Sequence, residues 1–182
     1  MAGKEDDDWI NNSRRNGILQ SFNFPKTPKQ VRNELRIKRF NLDPFIQRNL
    51  IKCLTPELCR GRIYVLTNKA RKLMNLPSYK INIEKDWNTI GWIKVSQKER
   101  AVVLKIMAIN SIKLYSEEIR ERCKPLNPCL SRSSAKDIIK DLIKRGLVES
   151  EIKDDLKKLY WLSAKGKQIA SDISSLFQEE YL

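Results

Sequence analysis

Residues 42–54 and 130–142 carry one pattern twice. Leu42-Asp43-Pro44-Phe45-Ile46-Gln47-Arg48-Asn49-Leu50-Ile51-Lys52-Cys53-Leu54 aligns without a gap on Leu130-Ser131-Arg132-Ser133-Ser134-Ala135-Lys136-Asp137-Ile138-Ile139-Lys140-Asp141-Leu142. Both copies place apolar residues first, ninth, tenth and thirteenth, and a base seventh and eleventh. Tyr64-Val65-Leu66-Thr67-Asn68-Lys69-Ala70 recurs as Tyr160-Trp161-Leu162-Ser163-Ala164-Lys165-Gly166. A chain that repeats a unit uses one kind of surface twice. With 182 residues, the repeat favours two small domains over one large one.

The formal net charge is +14 with no histidine, split as +9 through Pro77 and +5 beyond it. Such an excess points to a polyanionic partner, nucleic acid before an anionic membrane surface. No apolar stretch approaches the ~18 residues of a membrane span. The N-terminal Lys4-Glu5-Asp6-Asp7-Asp8 run lacks the apolar core of a signal segment, so the expected location is the cytoplasm, with the nucleoid. Cys53, Cys59, Cys123 and Cys129 lack zinc-knuckle spacing, and Cys123 reads as core, so no metal or cofactor is expected. A Cys53–Cys59 disulfide would need an unusual redox setting. Without histidine or a phosphate-cradling glycine loop, no enzymatic activity is expected.

Along the chain, residues 1–8 read as an acidic tail and Trp9 to Phe22 as a helix weakened by Gly17. Thr27, Pro28 and Gln30 form a helix start with a capping box, and Val31 and Leu35 supply the buried face. Asp43 and Pro44 open a third helix over 43–53, with Ile46, Leu50, Ile51 and Leu54 inward and Gln47, Arg48 and Lys52 outward. A basic turn at Cys59-Arg60-Gly61-Arg62 leads into a strand at 63–66, and Thr67 caps a further helix. Residues 77–95 include a short strand around Tyr79, Ile81 and Ile83 and an apolar group, Trp87, Ile90, Trp92 and Ile93, expected to pack against one or both domains. In the second copy Ala101 to Ile109 is helical, Ser116 caps the next helix, and Ser131 starts a third that stops at Gly146. Residues 147–149 and 159–162 are strands, and a long final helix carries Ile169, Ile173, Leu176 and Phe177 on one face. The growing offset between copies places eight extra residues in the second hairpin.

Helix, helix, helix, hairpin, helix is a helix-turn-helix followed by a β-hairpin. On Gln47-Arg48-Asn49-Leu50 and on Arg60-Gly61-Arg62-Ile63-Tyr64-Val65-Leu66-Thr67-Asn68-Lys69-Ala70 the chain resembles the winged-helix DNA-binding domains of prokaryotic, especially archaeal, transcription regulators. That family usually has glycine after the lysine: Gly166 conforms and Ala70 departs. The resemblance implies a mainly α fold with small β-hairpins (α+β) made of two tandem winged helix-turn-helix domains. Their bounds are 9–76 and 96–182, with 77–95 between them. It also implies duplex DNA as partner, with helices 43–53 and 131–145 in the major groove.

The candidate contacts follow from what each side chain can reach. Gln47 and Arg48 suit base edges, since Gln pairs with adenine and Arg with guanine. Lys52, Lys29 and Arg32 suit phosphates, and Arg60 and Arg62 on the wing suit the minor groove or the backbone. In the second copy Ser131, Arg132, Ser133, Lys136 and Lys140 line the helix, and Lys157 and Lys158 lie on the wing. Asp137 and Asp141, with Asp154 and Asp155 at the wing tip, oppose phosphates there. The first domain therefore ranks as the stronger DNA contact, and the second as a weaker one or a protein-binding surface. Monomer (as a pseudo-dimer) and homodimer through the last helix both remain open. The alternatives are a tandem winged-helix protein-interaction scaffold, a replication initiator or an RNA binder. Few aromatics lie among the bases, which disfavours single strands.

Overall fold

The computed structural model describes residues 2–79, 85–153 and 157–176. The chain divides into two compact units, 1–91 and 92–182, each a mixture of helices and a small antiparallel sheet (α+β), compatible with a winged helix. Among the described residues no helix is long and apolar enough to cross a membrane.

The first unit opens with helix rather than tail: α1 spans Ala2–Ile10 and α2 Ser13–Ser21. The helix expected over 9–22 is broken because Asn12 adopts an extended backbone and caps α2, its side chain accepting the Arg15 N–H. Asp6 and Ile10, one turn apart, share the inward face of α1; Asp6 pairs with Arg48 and Lys69, and the exposed Glu5 lies 3.9 Å from Arg48. α3 (Pro28–Leu35) starts on the Thr27–Gln30 capping box and ends at Arg36, a non-glycine residue at φ 53°. A left-handed conformation costs an ordinary residue about 1–2 kcal/mol.

α4 (Asp43–Gln47) is five residues long, not the eleven expected over 43–53. Asn49 turns left-handed at φ 54° and the Leu50 N–H returns to the Phe45 carbonyl, closing the helix. Ile51 then starts β1 (Ile51–Cys53), which pairs with β2 (Tyr64–Leu66) in the register Ile51↔Leu66. Ile46, expected inward, is consequently exposed, and Phe45 takes the core position. Asp43 does not cap; its own N–H donates to the Asn41 side chain. Lys26 forms a single antiparallel bridge to Tyr64. Phe22, Leu19, Val31, Leu50 and Leu66 make the core.

α5 (Asn68–Leu73) is capped by Thr67. Arg71, almost wholly buried, donates to the carbonyls of Pro77 and Asn23, tying the exit of α5 to the exit of α2. α6 (Trp87–Val95) carries the unit boundary, and Trp87, Ile90 and Ile93 are buried. Gly91 lets it approach the 55–61 loop, since a Cβ there would meet Leu58 at 2.7 Å. The first unit therefore runs past residue 76 to Gly91. Ile81 and Ile83 lie outside the described residues.

In the second unit a π-helical turn, Gln97–Ala101, leads into α7 (Val102–Ile109). A strand not foreseen from the sequence, β3 (Leu114–Tyr115), precedes α8 (Ser116–Cys123). The cap of α8 is Tyr115 rather than Ser116, with the Glu118 carboxylate accepting the Tyr115 N–H at 2.7 Å. α9 (Arg132–Lys144) begins on Ser131, whose hydroxyl accepts the Ser134 N–H, and stops at Gly146, φ 69°. β4 (Val148–Ile152), β5 (Lys158–Leu162) and β3 form a sheet in the order β3-β5-β4. α10 (Ala164–Leu176) buries Ile169 and Ile173; Phe177 lies outside the described residues. Leu104, Leu114, Ile119, Cys123, Ile139, Leu142 and Leu147 fill the core, each worth roughly 1.5–3 kcal/mol of burial for a large aliphatic side chain. That burial stabilises α9, since isolated helices of this length are marginal in water.

The same backbone arrangement recurs in both units. The Thr67 N–H donates to the Leu50 carbonyl and the Ser163 N–H to the Leu147 carbonyl. The Thr67 hydroxyl donates to the Asn49 carbonyl and that of Ser163 to the Gly146 carbonyl. The Leu114↔Tyr160 pair answers Lys26↔Tyr64. Asn49 thus corresponds to Gly146, which corrects the gapless alignment of 42–54 on 130–142. The eight extra residues sit in the helix, with α9 at 13 and α4 at 5, and not in the hairpin. Paired ends Val148–Leu162 bracket one residue fewer than Ile51–Leu66.

Candidate nucleic-acid interface

α9 is a 13-residue helix with one buried and one basic face. Ala135, Ile138, Ile139 and Leu142 point inward, so Arg132, Ser133, Lys136, Lys140 and Lys144 face solvent on the other side. Bases spaced by four drift slowly around a helix of 3.6 residues per turn, giving an oblique stripe. The start of α9 is held from α8: Arg120 donates to the Leu130 carbonyl and pairs with Glu117 at 2.7 Å. Glu117 also takes Arg132 at 2.9 Å. Hydrogen bonds from Arg132, then Arg120, hold the Glu117 carboxyl below its ordinary range. The Arg132 side chain is still 69% exposed, and an exposed pair contributes little in water, so it is free to exchange partners. Lys140 meets Asp137 at 3.5 Å, with both side chains mostly exposed. Asp141 is half-buried, in the field of Arg100.

The second hairpin carries Lys153, Lys157 and Lys158 at its far end, all exposed. Asp154 and Asp155 lie outside the described residues. The hairpin's described carboxylates are engaged: Glu149 accepts the Trp161 indole N–H at 2.9 Å, and Glu151 pairs with Lys113 at 2.7 Å. Lys113 also sits 4.4 Å from the Trp161 ring. Arg100 and Arg145 both pack against the Trp92 ring, at 4.0 and 4.1 Å, anchoring the C-terminal end of α9.

The first unit presents a different surface. Gln47 ends α4 and is exposed, but Arg48 is turned onto the N-terminal helix. Its guanidinium donates to Asp6 at 2.9 Å and lies 5.0 Å from the Trp9 ring, which packs edge-on against Phe45. Asp6 takes Lys69 on its other oxygen at 2.6 Å and is 5% exposed. Lys69 and then Arg48 lower the Asp6 carboxyl below its ordinary range. The expectation of Arg48 as a base reader is therefore corrected: an internal carboxylate occupies it. Lys52 stands exposed on β1, not one helical turn beyond Arg48. Arg60 and Arg62 are exposed in the 54–63 loop, where Arg62 donates to the Leu58 carbonyl at 2.6 Å. Lys29 and Arg32 are exposed on α3.

Sequence reasoning missed Glu117, Arg120, Lys113 and Trp161, because their partners are brought near by the fold and not by spacing. The Asp6 contact did leave a signal, since Asp6 and Ile10 are one turn apart. The cysteines are free: Cys59 and Cys129 are exposed, and burial pushes the Cys123 thiol up to about 11.

No family model matches the chain, and no curated protein matches it. Among solved structures, the crystal structure of SSV1 F-93 is similar over 44% of this chain and 87% of that one, at 18% identity and a TM-score of 0.37.

Proposed function

We propose that the chain binds double-stranded DNA as two tandem winged helices, with α9 of the second unit in the major groove, and that it regulates transcription. The observation that carries this reading is α9 itself. It is a capped, 13-residue helix with Arg132, Ser133, Lys136, Lys140 and Lys144 on its open face and three wing lysines beyond it. Residues near the start of such a helix reach base edges and later ones meet phosphate. Arg132 and Ser133 would discriminate bases, a good bidentate pair contributing roughly 1–3 kcal/mol. Lys136, Lys140, Lys153, Lys157 and Lys158 would hold the backbone. This order reverses the expectation that the first unit is the stronger contact.

The test is a salt titration of the full chain on random and genomic duplexes. Binding should fall with a log–log slope near −0.9 per phosphate contacted. Arg132→Gln should level the preference among sequences, and Lys136→Gln should weaken all of them alike. Binding that is absent, or indifferent to salt, defeats the proposal. A scaffold reading has one observation in its favour. A hollow of about 450 Å³ is lined by apolar Met107, Ile112, Trp161 and Leu162 and rimmed by polar residues such as Lys113 and Lys167. A stoichiometric protein partner with no DNA shift at low salt would support that reading instead.

A further inference from the structure

In the first unit one set of exposed cations lies on α3 and in the corner after it. Asp6 occupies Arg48 and Lys69. Lys29 and Arg32, three apart, share one face of α3, while Val31 and Leu35 take the other side, and Arg36 follows at the helix's C-cap. Lys38 and Arg39 come next in the corner after the helix, and all five are exposed. Arg14 joins them from α2, its guanidinium donating to the Arg39 carbonyl at 3.2 Å. Among the described residues none of these five forms an ion pair; Glu34, within α3, is held by Lys26 at 2.6 Å, and the next acid along the chain, the exposed Asp43, lies four residues beyond Arg39. Arg36 is the telling member. It occupies a left-handed position, φ 53°, where glycine would be unstrained, yet the chain puts a long cation there.

We propose that Lys29, Arg32, Arg36, Lys38, Arg39 and Arg14 form a seat for the phosphate backbone of duplex DNA. The seat holds DNA regardless of sequence, through α3 and the corner after it. The chemistry required is a row of unpaired cations without base-reading side chains, which fits a polyanionic rail. This rests on the reading of the chain as a duplex binder.

The experiment uses the full chain, two unrelated duplexes and a salt titration. Arg36→Gly should raise the thermal midpoint by relieving the left-handed strain, and yet lower affinity for both duplexes by the same factor, roughly eightfold at 0.1 M salt for one lost phosphate contact. Arg36→Asn combined with Lys38→Gln and Arg39→Gln should flatten the log–log slope by about 2.7. Lys72→Gln, an exposed charge on α5, should leave the slope unchanged. If the unaltered chain binds duplexes but the Arg36→Gly and triple variants keep its affinity and slope, the seat is refuted and the wider reading survives. If the unaltered chain binds no duplex, the wider reading falls. If the triple variant loses binding to vesicles containing anionic lipid while duplex binding is unchanged, the seat serves a membrane and the proposal is overturned.

Discussion

Asp6 joins two cations at once, and hydrogen bonds from Lys69 and then Arg48 depress its pKa. A depressed carboxylate adds stability that is present above its unfolded pKa of about 3.9 and is lost as pH falls through the folded value. Asp6→Asn should therefore lower the thermal midpoint at pH 7, and its deficit against the parent should shrink in melts taken below about pH 4. The thiols give an independent check at this scale. Cys59 and Cys129 should react with a thiol reagent at pH 8, while buried Cys123, its thiol raised to about 11, should react only on unfolding. Legibility at this scale follows locality. The Thr27–Gln30 box and the Ser131 cap could be read directly, because their partners lie three residues away. Arg48 could not, because its carboxylate lies 42 residues upstream.

At the scale of elements the two units share a rule for ending one helix and starting the last. Gly166 sits where a Cβ would fall on the Leu147 carbonyl oxygen, so Gly166→Ala should destabilise by roughly 1–3 kcal/mol or more in denaturant unfolding. Ala70, at the equivalent place after Thr67, is fully buried, so the first unit leaves room for the methyl group that the second excludes. Asn49→Gly should be neutral or stabilising and Asn49→Ala should cost about 1–2 kcal/mol, both read by the same unfolding curves. The α4 boundary was illegible for a physical reason. Leu50-Ile51-Lys52-Cys53-Leu54 satisfies helical spacing and a buried strand equally well, and short apolar runs do not separate the two. The left-handed turn at Asn49 decides between them, and asparagine announces such a turn less loudly than Gly146 does. β3 was hidden because two residues show no period.

For the whole molecule, the excess of +14 is distributed and not uniform. One internal carboxylate, Asp6, occupies Arg48 and Lys69, while α9, its hairpin and the Lys29–Arg39 segment keep exposed bases. On the proposed reading, engagement of six to ten phosphates should reduce affinity by roughly 10³–10⁵ between 50 and 200 mM salt, measurable by fluorescence anisotropy on a labelled duplex. The charge sign and the helix-hairpin order were visible in the sequence at this scale. Which unit carries the long rod was not, because it depends on where eight residues lie between two fixed points. In each unit those points are the strand pairing, Lys26↔Tyr64 or Leu114↔Tyr160, and the hydroxyl latch, Thr67 or Ser163, which clamps the end of one helix to the start of another. With the latch anchored in each unit, eight added residues extend the helix by about 12 Å, its inner face burying Ala135, Ile138, Ile139 and Leu142 and its outer face meeting solvent. Rod length is thus a dial that turns while the latch stays put: set low it leaves the five-residue stub of α4, and set high the thirteen-residue α9. Transplanting residues 132–146 into the place of 43–49 should lengthen the stub into a rod while the latch holds, read as a gain of helical circular dichroism.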